Sequence, residues 1–379
     1  MKYCCNCGKP MNDNDIFCGN CGARSDMGQQ GNTPPPFTGG TAGESQWNVD
    51  KGKSSSSIID SINDYIGNNQ PVDLNWKDLF TDVFKSHSNA DAEEIFVCGT
   101  ARTTPPIDAV SETWPRPWLY SRVFALFAVS CILLIIGFNM WQNINLIPGI
   151  IAVGSFAVPL TTMVLFLEVN AYRDISVYTL IKVFLVGGCA SLIATLVLYA
   201  IFPFADISFG GAVIIGIVEE IGKLVIVYIF LSRLAKCRHI LGGLLVGSAV
   251  GAGFAAFESA GYAFNQLLMV GDFDQMVDLI LLRGFLAPGG HVTWAAISGA
   301  ALMIARGKGE LTVETMLSSR FLKLFIIPVG LHAVWDMPIE FGSDLYLIPI
   351  LLTVAVWIVV LILINMGLDE VKQRKLRYL

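Results

Sequence analysis

The chain has 379 residues, of which 54% are hydrophobic and only 15% charged, and its formal net charge is −6. Soluble globular proteins carry about 25% charged residues, so this composition argues against a wholly soluble fold, and the acidic balance offers nothing to a nucleic-acid backbone. The shortfall is uneven: residues 1–117 are polar, and the rest runs as long apolar stretches broken by short charged loops.

The first element is a cysteine module. Cys4-x2-Cys7 and Cys18-x2-Cys21 form two knuckles separated by ten residues. Four thiolates at this spacing close a tetrahedral zinc site, and the glycines after Cys7 and Cys21 suit the turns each knuckle needs. Cys5 then reads as a spectator. Such a module, here 1–26, folds on its metal and has no open coordination position for catalysis. A disulfide pair is the alternative, and a reducing cytoplasmic setting disfavours it. The opening residues are cysteine-rich and polar, so no cleavable leader is expected and the first membrane helix should do the targeting.

Residues 27–57 are rich in Gly, Pro, Ser and Thr and read as a flexible linker. In the pre-membrane region, 58–117, Ile58, Ile59, Ile62, Tyr65 and Ile66 follow helical spacing and predict a short amphipathic helix. WPRPW then leads into the apolar part through prolines and interfacial tryptophans.

From 118 to 368 the pattern predicts an all-α membrane bundle of about eight spans, each of about 20 apolar residues. They run over 119–141, 146–168, 177–202, 208–232, 240–265, 284–305, 321–339 and 344–366, followed by a basic tail, 369–379. Basic residues mark every second loop: Arg173 and Lys182, then Arg233, Lys236 and Arg238, then Arg306, Lys308, Arg320 and Lys323. The alternate loops hold Asp206, then Asp272, Asp274 and Asp278, then Glu340 and Asp344. The positive-inside rule therefore predicts a multi-pass protein of the cell membrane with both termini in the cytoplasm.

Several spans carry groups that a bilayer disfavours. A charge at its centre costs about 2.5–3.5 kcal/mol even on insertion scales, yet the fourth span holds Glu219, Glu220 and Lys223. Lys223 is one turn from both glutamates and can neutralise one, while adjacent helical residues diverge by about 100°, so the two carboxylates face different ways. The fifth span holds Glu258 and Tyr262, the sixth Arg283, Pro288 and His291, and the seventh His332 and Asp336, which share a helical face. At about 1.5 Å per residue, the four spans bring these groups to similar depths in the outer half of the membrane. A structural Glu–Lys bridge accounts for Lys223 alone. For the set, the readings are a catalytic centre or, alternatively, a proton- or ion-coupled transporter.

With these residues assembled, the sequence resembles the PrsW family of intramembrane proteases, related to the membrane CAAX-prenyl endopeptidases. The matching elements are EExxK (Glu219, Glu220, Lys223), FExxxY (Phe257, Glu258, Tyr262), RxxxxPxxH (Arg283, Pro288, His291), HxxxD (His332, Asp336) and EVNAYRD at 168–174. The resemblance covers about 117–366 and implies hydrolysis of peptide bonds in membrane-anchored proteins, in bacterial members anti-sigma factors. It implies Glu219 or Glu220 as the base that activates water, His291 orienting that water or protonating the leaving amine, and His332, steadied by Asp336, at the oxyanion. Where CAAX relatives place an Asn, this chain has Asp336. Members are often described as metalloproteases, and two histidines with glutamates are a possible zinc set. The chain lacks HExxH; a glutamate mechanism is the expectation, with a catalytic zinc left open.

Overall fold

The computed structural model describes residues 58–377 apart from 69, 204, 205, 207, 235, 236, 343 and 344, with the backbone alone of 2–3 and 10–11. The chain divides into two units, Met1–Ser54 and Ser55–Leu379. In the first, strand β1 (Lys2–Tyr3) pairs antiparallel with β2 (Pro10–Met11). The expected zinc ligands Cys4, Cys7, Cys18 and Cys21 and the linker over 27–57 lie outside the described residues.

The described part of the second unit is helical. Helix α1 (Ile58–Ile66) forms where the apolar spacing predicts it, and the Tyr65 hydroxyl donates to the Lys323 carbonyl at 2.8 Å. Two short helices follow, α2 (Asp78–Thr81) and α3 (Asn89–Phe96). The second starts on a capping box in which Ser88 and Asp91 satisfy each other's backbone N–H.

The apolar helices come next: α4 (Leu119–Trp141), α5 (Ile147–Val169), α6 (Val177–Lys182), which continues through a π turn into α7 (Gly188–Ile201), α8 (Phe209–Arg233) and α9 (Ile240–Val270). After them stand α10 (Phe273–Leu286), α11 (His291–Arg306), α12 (Val313–Leu317), α13 (Ser319–Asp336) and α14 (Leu347–Lys375). Among the described residues, five segments are long and apolar enough to cross a membrane: α4, 144–169, 177–201, α9 and α14. Of the other expected spans, α8 has the length but carries Glu219, Glu220 and Lys223, and α13 carries Arg320, Lys323 and Asp336. The expected sixth span, 284–305, is not one helix. Pro288 lacks an N–H and sits with Gly289 and Gly290 in a short 3-10 turn, so α10 ends at Leu286 and His291 opens α11. The basic tail is also more ordered than its sequence suggests: α14 runs on through Lys375, burying Val371.

The centre of the bundle is α9 against α11, where a β-carbon on Gly243, Gly247 or Gly251 would run into the Gly299, Ala295 or His291 carbonyl. This small-residue stripe at every fourth position lets the two backbones touch. At the opposite extreme, α4 exposes Leu126, Val129, Ile132 and Leu133, an apolar face suited to lipid. Its N-terminus is held by Glu168, whose carboxylate accepts the N–H groups of Trp118, Leu119 and Tyr120, each at 2.9 Å.

Candidate active site

Five helices, α8, α9, α10, α11 and α13, place their charged groups together. α8 presents its two glutamates on different faces, as the 100° step requires. Glu220 turns inward and is fully buried; Lys223 Nζ reaches its Oε1 at 2.7 Å, and His332 Nδ1 reaches the same oxygen at 2.8 Å. Glu219 turns toward a cavity of about 390 Å³. Its Oε1 accepts from the Tyr199 hydroxyl at 3.0 Å, and its Oε2 has no hydrogen-bond partner.

Lys223 joins the helices. Besides Glu220 it donates to His291 Nδ1 at 2.8 Å, lies 3.7 Å from Glu219 Oε2, and sits 4.4 Å from the centre of the Phe254 ring. A lysine with no access to water needs such partners to satisfy its donors. Its donation fixes His291: Nδ1 is the acceptor, and Nε2–H points to Glu258 Oε2 at 3.0 Å. Glu258 is held in turn by Arg283 Nη2 at 2.6 Å, while Arg283 Nε donates to Ser259 Oγ at 2.9 Å and the guanidinium lies over the Tyr262 ring. On α13, His332 Nε2 meets Asp336 Oδ2 at 3.2 Å one turn on, and the imidazole stacks on Trp294 with ring centres 4.4 Å apart.

All seven site residues expected from the sequence meet here: Glu219, Glu220, Lys223, Glu258, His291, His332 and Asp336. Glu220 and Lys223 are sealed in the protein, whereas Glu219, Glu258, His291, His332 and Asp336 line the cavity. Two neighbours were not foreseen. Tyr199 reaches Glu219 from α7 and gives no signal of its own, since a tyrosine in an apolar helix is ordinary. Trp294 is three residues after His291, and that one-turn spacing is the signal that could have found it.

Glu219, His291 and His332 offer ligand atoms within 4.8 Å of one another, and Glu219 Oε2 accepts no hydrogen bond. In number and type the set fits zinc. The placement of its neighbours does not: Lys223 and Glu258 already occupy both nitrogens of His291, and the Lys223 ammonium stands where a second cation would repel it.

A helical unit with several segments long and apolar enough to cross a membrane, packed around a Glu–Lys–His cluster, is a multi-pass membrane protein. Residues 176–364, which contain every site residue named above, match the family described as PrsW family intramembrane metalloprotease, and this supports a membrane peptidase of that family. No curated protein and no solved structure matches the chain.

Proposed function

We propose that the protein is an intramembrane endopeptidase that hydrolyses a peptide bond of a membrane-anchored protein, with Glu219 as the base. One observation carries this choice: Glu219 is the member of the glutamate pair that lines the cavity, with Tyr199 hydrogen-bonded to one oxygen and no hydrogen bond on the other. In the reaction Glu219 Oε2 takes a proton from water, the hydroxide adds to the scissile carbonyl, and the same carboxyl returns the proton to the leaving nitrogen as the C–N bond breaks. His332 lines the cavity with Nδ1 held by Glu220 and Nε2 by Asp336, and its Nε2–H reaches the oxyanion by exchanging Asp336 for the substrate oxygen. His291, with both nitrogens engaged by Lys223 and Glu258, positions those two side chains beside the cavity. The substrate class carried by the resemblance is a membrane-anchored regulator such as an anti-sigma factor, and the charge pattern of the loops supports a cell-membrane protein with cytoplasmic termini.

Purified full-length protein in detergent should cut a single-span test substrate, and Glu219→Gln should lower kcat about 10²–10⁴-fold, the usual contribution of a general base. Wild-type cutting by that variant would remove Glu219 from the role. Ion flux in liposomes without proteolysis of any test substrate would favour the transporter instead.

A second reading rests on the 4.8 Å donor cluster and the family's description. In it Glu219, His291 and His332 would hold a zinc ion, which supplies Lewis-acid polarisation of the carbonyl. Comparing bound zinc in the full-length wild type and His291→Ala separates the two, because metal held by the N-terminal cysteines cancels. Equal zinc is the expected result. One zinc fewer per chain in the variant would replace the glutamate mechanism and leave the protease standing.

A further inference from the structure

A second polar cluster lies where α5 ends, α9 begins and α14 ends. A cavity of about 470 Å³ opens there, lined by Tyr172, Asp174, His239, Arg374 and Arg377 among others. Its acidic groups are spoken for. Asp174 accepts from His239 Nε2 at 2.8 Å and from Asn170 Nδ2 at 3.1 Å. The nearby Glu370 accepts the Ile240 N–H at 2.9 Å and Arg374 Nη2 at 2.6 Å.

What remains is donor capacity. Tyr172 is only 7% exposed, its ring stacks on His239 with centres 3.8 Å apart, and its hydroxyl has no partner. A buried hydroxyl left unpartnered is rare in folded proteins and marks a place where something else supplies the acceptor. Arg374 spends Nη2 on Glu370 and the Arg238 carbonyl, and a guanidinium has further N–H groups to offer. The Arg377 side chain has no hydrogen-bond or ion-pair partner among the described residues. The first turn of the 31-residue α9 adds the positive end of its dipole.

We propose that this cavity binds a phosphate-bearing anion, with the Tyr172 hydroxyl and the Arg374 and Arg377 guanidiniums as its donors. Arginine forks match phosphate oxygens, and a phenol supplies a further donor. Two sources share that chemistry: the headgroup of an anionic phospholipid and a small soluble phosphate. The location favours the lipid. The cavity sits at the ends of three membrane-crossing segments, the level at which headgroups lie, and the apolar Ile107 and Val110 complete its wall.

The full-length protein in neutral detergent is titrated with short-chain phosphatidylglycerol, short-chain phosphatidylcholine or inorganic phosphate while Tm is followed. Tyr172→Phe and Arg377→Gln are measured alongside. Phenylalanine keeps the stacked ring and Arg377 has no internal partner, so without ligand both should melt like the wild type. Phosphatidylglycerol should raise the wild-type Tm and phosphatidylcholine should not, and each variant should weaken the apparent affinity about tenfold, the worth of one charge-assisted hydrogen bond. An equal response to inorganic phosphate, lost in the same variants, would keep the site and make its ligand a soluble phosphate. No response to any phosphate compound, or the same response in all three proteins, overturns the proposal.

Discussion

Glu219 and Glu220 are neighbours in sequence with opposite surroundings, and substitution should separate them. Glu220 shares one oxygen with Lys223 and His332 out of reach of water. Removing one partner of a buried ionic set leaves the others uncompensated, at about 3–5 kcal/mol. Glu220→Gln should therefore lower the thermal unfolding temperature in detergent, while Glu219→Gln, at the cavity, should spare it and lower turnover. Equal destabilisation by both would contradict the division of labour. Tyr199→Phe removes one hydrogen bond from Glu219 and should lower kcat about tenfold with KM unchanged; a change confined to KM would make Tyr199 a substrate contact. The charged members of this site were legible because each stands out in an apolar stretch. Tyr199 was not, because a tyrosine there looks like any other interfacial or core side chain, and its partner lies on another helix.

Between elements, the glycine stripe of α9 brings its backbone against that of α11. Gly247→Leu would push a side chain into the Ala295 carbonyl, whereas Gly261→Ala meets nothing within 4 Å. Overpacking costs about 1–3 kcal/mol or more, so calorimetry should find the first variant destabilised and the second not. The Gly spacing was present in the sequence, but glycine is common in membrane helices, and only the partner backbone gives it meaning. The α10–α11 break was missed for a related reason: PGG at 288–290 lies in an apolar run whose length alone suited a span. EVNAYRD is the reverse case, since its two carboxylates bridge elements. Glu168 caps α4, and Asp174 pairs with the His239 that caps α9. Burial raises the Asp174 carboxyl, but the His239 hydrogen bond and charge, with Asn170, outweigh it and hold it below the ordinary value. A depressed value in the folded state stabilises fully above the unfolded-state value and is lost as pH falls through the folded one. Unfolding temperatures taken from about pH 6 down to about pH 3 should thus decline, and Asp174→Asn should flatten that decline; an unchanged slope would show that the pair contributes nothing.

For the molecule as a whole, the positive-inside pattern makes a topological prediction. Reporters fused after residue 310 should fold on the same side as the N-terminus, and those inserted near Asp272 on the other; the opposite result would invert the orientation. The arrangement of charge also bears on how the chain is made. Glu219, Glu220 and Lys223 lie within one turn of each other, so α8 reaches the translocon already carrying a counter-ion for one carboxylate. Glu220's second partner, His332, lies 112 residues downstream. At about 5–20 residues per second of synthesis, α8 must wait roughly 6–20 s before α13 emerges. During biogenesis the internal lysine is thus an escort, keeping a nascent helix acceptable to lipid until the remaining walls of the site arrive.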